Sequence, residues 1–150
     1  MKNFFRPFMI VAVAASLFAT SSCTKTCDAG YEGSDCKTEV RTKYFGSYKV
    51  SGNAVVTGGG SDVISDLIVT VTTASADVQK FNFSYVIGGD NYQLTGTLNE
   101  NGTAFTVPSQ TAQGLNYTGS GSFTTTSMSV LLTETDGSQV TTITLQGPKN

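Results

Sequence analysis

Apolar and polar residues alternate through most of the chain after position 43, as in strands that bury one face. Leu67, Val69 and Val71 share one face of the segment Asp66–Thr73, and the same spacing recurs in Gln79–Val86. Short turn signals rich in glycine and asparagine separate the alternating segments, as expected for hairpins. Because no segment of useful length has helical spacing, the pattern predicts an all-β protein.

The alternation predicts eight strands in the body of the chain. Asn53–Ser61, which contains three consecutive glycines, is predicted to be a loop. Pro108 is predicted to end its strand because proline has no backbone N–H, and Gly119 and Gly121 are typical of a bend within a strand. The predicted strands are Lys43–Val50, Asp66–Thr73, Gln79–Val86, Tyr92–Leu98, Ala104–Val107, Leu115–Phe123, Ser127–Thr133 and Gln139–Gln146.

Successive hairpins with one apolar face predict an antiparallel up-and-down meander over residues 43–150. A meander of eight strands either closes into a barrel or folds into two packed sheets. Because closure leaves no strand edge exposed, we predict a small barrel, with a β-sandwich as the alternative. The length that remains after position 36 suffices for one domain with its own core.

The start of the first predicted strand carries a short motif. Phe45-Gly46-Ser47-Tyr48 resembles the G-x-W opening of calycin-type barrels, the lipocalin-like group, with Tyr48 in the position of the tryptophan. The chain itself contains no tryptophan. The resemblance implies a lipocalin-like barrel for residues 43–150.

Aromatic residues on the apolar faces are candidates for a ligand site inside the barrel. An eight-stranded barrel is wide enough either to be filled by its own side chains or to hold one small molecule. The chain therefore fits two functions: a barrel that holds a small apolar ligand, or a solid barrel that is an envelope structural or protein-interaction module. The candidate ligand-binding residues are Phe81, Phe83, Tyr85, Tyr92, Phe105, Tyr117 and Phe123.

The N-terminal segment has the features of a secretory signal peptide. Lys2 and Arg6 supply positive charge, and residues 8–19 are apolar apart from Ser16. This run is shorter than the ~20 residues that a membrane-spanning helix needs. Small residues follow at positions 19–22, as cleavage requires. Either an A-x-A-like site is cleaved there, or Cys23 becomes the first residue of the mature protein and carries lipid.

Ser21, Ser22 and Cys23 resemble the lipobox of Gram-negative bacterial lipoproteins, although Thr20 lies where that family most often has leucine. The resemblance implies that residues 1–22 are removed and that Cys23 is diacylated. Three cysteines in an exported chain leave one thiol unpaired, and lipidation of Cys23 would remove it. We expect a lipid-anchored protein of the cell envelope, at the outer membrane, with a soluble periplasmic or secreted protein as the alternative.

Residues 27–36 read C-x-x-G-Y-x-G-x-x-C and resemble the last disulfide loop of an EGF-like domain. The resemblance implies a disulfide between Cys27 and Cys36, and residues 23–42 then form a tether before the barrel. The calcium-binding residues that precede some EGF-like domains are missing. No metal or other cofactor is expected.

The chemistry of the side chains argues against catalysis. The chain has no histidine and no cysteine beyond position 36, which excludes Ser-His-Asp and Cys-His machinery and the usual zinc sites. Between Val50 and Pro148 there are seven acidic residues and one basic residue, Lys80, so the basic surface that nucleic-acid binding needs is missing. We expect a non-enzymatic protein whose partners are the membrane, through the anchor, and a small apolar ligand or an envelope protein.

Overall fold

Ten β-strands and one short 3₁₀ helix form residues 26–150, the part of the chain that the computed structural model describes. The two-residue strands β1 (Tyr31–Glu32) and β2 (Thr38–Glu39) pair with each other, and the 3₁₀ helix (Val40–Tyr44) follows. The remaining strands are β3 (Gly46–Val56), β4 (Ser61–Thr73), β5 (Lys80–Ile87), β6 (Asp90–Leu98), β7 (Ala104–Ala112), β8 (Leu115–Phe123), β9 (Ser127–Asp136) and β10 (Gln139–Pro148).

Strands β3 to β10 form a closed barrel in which each strand lies antiparallel to its neighbours in sequence. The last strand closes the barrel against the first, with Ile143 opposite Ala54. This confirms the predicted eight-stranded up-and-down barrel and excludes the β-sandwich alternative. Within residues 26–150, no helix has both the length and the apolar character needed to cross a bilayer.

Three predicted boundaries were wrong. The first barrel strand begins at Gly46 and not at Lys43, because Lys43 and Tyr44 belong to the 3₁₀ helix. The predicted loop Asn53–Ser61 shortens to a turn, because β3 continues to Val56 and β4 already begins at Ser61. The first half of β4 has no regular apolar face, and Val63 is 82% exposed, so alternation could not reveal this part of the strand. β7 also continues through Pro108, because the register against β8 shifts between Val107 and Gln110 and a bulge tolerates a residue without an N–H.

The barrel interior is filled by side chains that alternate inward along the strands. Phe81 packs edge-to-face against Phe105 and Phe123, with ring centroids 5.1 and 5.2 Å apart. Gly121 makes room for this packing, since a Cβ there would overlap Cζ of Phe105 and the carbonyl oxygen of Ser129. This half of the barrel is therefore a solid aromatic core.

The segment before β3 closes one end of the barrel. Tyr44 stacks on Phe123 at a centroid distance of 4.5 Å, and its hydroxyl donates to the carbonyl of Gly102 at 2.6 Å. Tyr48, from the segment that resembles the calycin-type opening, is fully buried and donates its hydroxyl to the carbonyl of Tyr44 at 2.8 Å. The 3₁₀ helix is thus a plug that binds both the barrel wall and its loops.

Candidate functional site

The wall of the barrel is incomplete between β4 and β5. The two strands pair only where Thr70–Thr73 lies opposite Phe81–Ser84. In contrast, β5 pairs with β6 along its full length, from Lys80 to Ile87. Beyond Thr70 and Ser84, β4 and β5 separate toward the barrel end that is opposite the plug.

The separation leaves a lateral cleft of about 530 Å³. Ile68 and Val86, on the outer face, lie at its rim, whereas Leu67 and Tyr85 belong to the inward-facing rows. The cleft therefore runs from the outer surface to the edge of the core. Its volume lies in the range of about 300–1,000 Å³ that is typical of ligand sites. The full lining consists of Ser65, Asp66, Leu67, Ile68, Thr70, Ser84, Tyr85, Val86 and Asn91.

A β-bulge in β4 forms one side of the cleft. Ser65 and Asp66 together lie opposite the single residue Ser51 of β3, because the register shifts between Val50 and Gly52. Asp66 has a φ of 56°, a left-handed conformation that aspartate tolerates better than most residues, and its N–H donates to Oγ of Ser51 at 3.1 Å. A bulged strand bends and twists more strongly than a regular one, which agrees with the departure of β4 from β5 here.

A cluster of three tyrosines begins at the inner end of the cleft, where Tyr85 lines it, and continues into the barrel through Tyr92 and Tyr117. Tyr85 stacks on Tyr92 with ring centroids 5.2 Å apart, and Tyr92 meets the ring of Tyr117 edge-on at 6.3 Å. The hydroxyl of Tyr117 donates to Oε2 of Glu134 at 2.6 Å. Burial raises the pKa of both Tyr85 and Tyr117, and the hydrogen bond to Glu134 raises that of Tyr117 further. The two hydroxyls are therefore uncharged at neutral pH.

The seam between β6 and β7 is also short, but side chains bridge it. The backbone pairs only at Thr97–Thr106 and Leu98–Phe105, yet Gln110 makes two hydrogen bonds to the backbone of Thr95. Among the described residues, no side-chain hydrogen bond joins 61–69 to 85–87 across the β4–β5 seam. Of these two short seams, only the β4–β5 seam opens into the cleft.

All seven aromatic residues predicted as a ligand site lie inside the barrel. The four phenylalanines pack on one another in the core, and the three tyrosines form the cluster beside the cleft. Of the seven, only Tyr85 lines the cleft. That these seven residues bind a ligand stays a prediction.

The sequence analysis did not predict the other residues that line the cleft. The cleft forms because β4 and β5 are paired over only four residues, and no sequence motif marks this. The one local signal is the pair Ser65-Asp66, which interrupts the alternation of β4.

Cys27 and Cys36 lie at the other end of the described structure, beside the plug. Cys27 and Cys36 form a disulfide, and the loop that they close packs against the barrel, with Gly30 close to Val78 in the β4–β5 loop. Cys23, the predicted lipidation site, lies outside the described residues. The chain therefore enters the barrel at the plugged end, whereas the cleft lies in the wall toward the opposite end.

No protein-family model matches the chain, and no curated protein matches it by sequence. Its fold is similar to the crystal structure of a Bacteroides fragilis protein that is provisionally described as an outer membrane protein. The TM-score is 0.57 at 15% sequence identity, and the match covers 73% of this chain and 52% of that protein. The chain thus spans about half the length of that protein, and the likeness is one of fold. Together, the fold and the cleft define a closed antiparallel β-barrel with a lateral opening between β4 and β5.

Proposed function

We propose that this protein is a non-catalytic interaction module of the bacterial cell envelope, tethered through its N-terminus, that holds a polypeptide partner in the β4–β5 cleft. The observation that carries this proposal is the opening of about 530 Å³ in the wall of a barrel whose interior is largely occupied by its own side chains. A solid core leaves the cleft as the place where a partner can reach both the surface and the inner residues.

Three features support an envelope location. The N-terminus resembles a secretory signal followed by a lipobox, and the Cys27–Cys36 disulfide belongs to an oxidising compartment. The structural neighbour is itself described provisionally as an outer membrane protein. A lipid on Cys23 would lie three positions before the first described residue, Thr26, at the plugged end of the barrel. The cleft would then lie toward the end of the barrel that is farther from the membrane surface.

A small apolar ligand is the second candidate occupant. Tyr85 and Leu67 give the inner end of the cleft an aromatic and aliphatic surface, and the cleft volume suits one small molecule. This candidate keeps the predicted apolar ligand but places it at the wall of the barrel, outside the packed phenylalanines.

Site-specific photocrosslinking in intact cells tests the cleft. A photoreactive amino acid replaces Ser84 at the cleft or, as a matched control, Thr118 on the outer face of β8 at the opposite wall. We expect a covalent adduct with one polypeptide from position 84, which disappears when excess wild-type protein is present, and none from position 118. A low-mass adduct at position 84 would instead support the small ligand. If neither adduct forms, the cleft is not a binding site.

The tether is tested separately by intact mass and detergent partitioning of the protein expressed with its own signal, beside Cys23→Ser. We expect the wild type to carry the mass of acyl chains and to enter the detergent phase, and the variant to stay in the aqueous phase. If both stay aqueous and lack acyl mass, Cys23 is not an anchor.

A further inference from the structure

On the basis of the function proposed above, we infer that the partner contributes an extended segment, which adds as a strand to the free edge of β4 between Ser61 and Val69. The segment carries apolar and basic residues in alternation. This assigns the cleft a partner defined by its backbone conformation and charge.

In the described part of the chain, one side of the β4 backbone has no strand partner over most of its length. β4 pairs with β3 from Ser61 to Val71, but on its other side it pairs with β5 only from Thr70 to Thr73. Nine residues, 61–69, therefore present one side of the backbone without a strand partner in the described structure. Such an edge is a template for an added strand, and nine residues span ~30 Å, more than a typical strand of five or six residues.

The opposite side of the cleft is a second strand edge. Tyr85, Val86 and Ile87 pair with β6 but not with β4, and Tyr85 and Val86 line the cleft. A segment inserted here can therefore find backbone partners on β4 and, over a shorter length, on β5. This geometry favours a polypeptide over a ligand that lacks alternating N–H and C=O groups.

The two strand edges carry exposed apolar side chains. Val63, Ile68, Val86 and Ile87 are between 43% and 82% exposed, and all four are β-branched. β-branched residues pack well against the side chains of a neighbouring strand on a pleated surface. Lysine and proline, which often protect an exposed edge, do not occur in residues 61–69, and the bulge at Ser65-Asp66 leaves four residues on its N-terminal side and three on its C-terminal side. An added strand would cover this apolar rim.

The charge of the rim defines the partner further. Asp66 pairs with Lys49 at 3.1 Å, whereas Asp62 and Asp90 form no ion pair among the described residues. Asp62 lies on the free part of β4, and Asp90 begins the strand that follows the β5–β6 turn. Lysine or arginine at alternate positions of the partner segment would complement these carboxylates, which favours its association and selects its register.

The barrel fills its other short seam in the same manner. At β6–β7, the side-chain amide of Gln110 both donates to and accepts from the backbone of Thr95, as a strand residue would. Within the part of the chain that the structure describes, no such side chain bridges 61–69 to 85–87. The structure thus satisfies one seam internally and leaves the other for an external strand.

Linear peptides of about ten residues, displayed on phage, are the probe. They are selected on the full chain carrying Cys23→Ser, and the enriched peptides are synthesised for affinity measurements. We expect alternating apolar and basic residues, affinity reduced about tenfold or more by Ser84→Phe and by Val86→Lys, and no change with Thr118→Phe. N-methylation of alternate peptide amides is expected to abolish binding, and amide hydrogen exchange within 61–69 should slow when the unmodified peptide binds.

Val86→Lys introduces a charge at an exposed position, so it tests the rim even if Ser84→Phe disturbs folding. Strand addition is overturned if no peptide is enriched, if N-methylation leaves affinity unchanged, or if exchange within 61–69 does not respond. In each of these outcomes a crosslink from position 84 to a polypeptide would still support the interaction module, so the two proposals fail separately.

Discussion

The side chain of Gln110 completes the barrel wall opposite Thr95. The N–H of Thr95 donates to Oε1 of Gln110 at 2.8 Å, and Nε2 of Gln110 donates to the carbonyl of Thr95 at 2.8 Å. Because β6 and β7 pair through the backbone at only two positions, this amide replaces a missing part of the ladder. The side-chain amide has the same donor and acceptor as a peptide group, which explains why glutamine fits here.

Gln110→Leu should lower the free energy of unfolding by about 1–3 kcal/mol, because both backbone groups of the partly buried Thr95 lose their partner. Urea denaturation measures the change. Gln146→Leu, at an exposed position of β10, is the matched control and should change stability by less than about 0.5 kcal/mol. Equal effects of the two substitutions would show that the Gln110 amide does not stabilise the seam.

The sequence allowed the barrel to be predicted because alternation reports which side chains face inward. Phe81, Phe83 and Tyr85 were placed on one face by their spacing alone, and all three are buried in the interior. The Cys27–Cys36 pairing followed from resemblance to a known loop, and the disulfide is present. Local patterns and local motifs were therefore sufficient for the architecture.

The cleft could not be predicted in this way, because it depends on how far two strands remain paired. The pairing of β4 with β5 ends four residues after the bulge at Asp66, and this bulge is defined by its register against Ser51 on another strand. Alternation along β4 contains no information about its distance from β5. The closure of the β6–β7 seam by Gln110 is likewise a contact between strands that no local pattern predicts.

Arg41 links the plug to the barrel. Its side chain is buried, its Nη1 donates to the carbonyls of Ser75 and Asp77 at 3.0 and 2.7 Å, and its Nε pairs with Glu39 at 2.8 Å. Arg41→Met should lower the free energy of unfolding by about 2–4 kcal/mol, because the buried guanidinium no longer donates to the partly buried carbonyls of Ser75 and Asp77 or to the Glu39 carboxylate. Urea denaturation measures this loss.

Lys43→Met is the matched control for Arg41→Met. Lys43 pairs with Glu32 at 2.7 Å, but both side chains are more than 30% exposed, so the loss should stay below about 1 kcal/mol. Arg41→Lys should be intermediate, since an ammonium keeps the charge but lacks the planar array of donors. If Arg41→Met is no worse than Lys43→Met, the plug does not depend on the guanidinium.

Gly121 is required by the close approach of Phe105 and β9. A methyl group at position 121 would overlap the Phe105 ring and the Ser129 carbonyl, so Gly121→Ala should lower the free energy of unfolding by about 1–3 kcal/mol. Gly60→Ala is the control, because a Cβ at position 60 would have no atom of residues 26–150 within 4 Å beyond its chain neighbours. Thermal and urea unfolding of both variants measure the difference. Similar stability of the two would contradict the packing assigned to this glycine.

Stability should fall at high pH because tyrosines are buried in the core. Burial, and then the neighbouring Tyr44, raise the pKa of Tyr48 to about 12, and burial also raises the pKa values of Tyr85 and Tyr117. In the unfolded chain these hydroxyls lose protons near pH ~10, so above that pH the unfolded state binds fewer protons than the folded state. The free energy of unfolding should therefore not depend on these groups below pH ~10 and should decrease as pH rises from ~10 toward ~12.

Each buried tyrosine contributes at most ~1.4 kcal/mol per pH unit to this decrease. Urea denaturation at a series of pH values measures the slope, and Tyr48→Phe removes the share of one group. The variant also loses the hydrogen bond from Tyr48 to the carbonyl of Tyr44, so its stability should be lower at neutral pH while its slope above pH ~10 is shallower. A slope equal to that of the wild type would show that Tyr48 ionises as readily in the folded protein as in the unfolded chain, contrary to its position in the core.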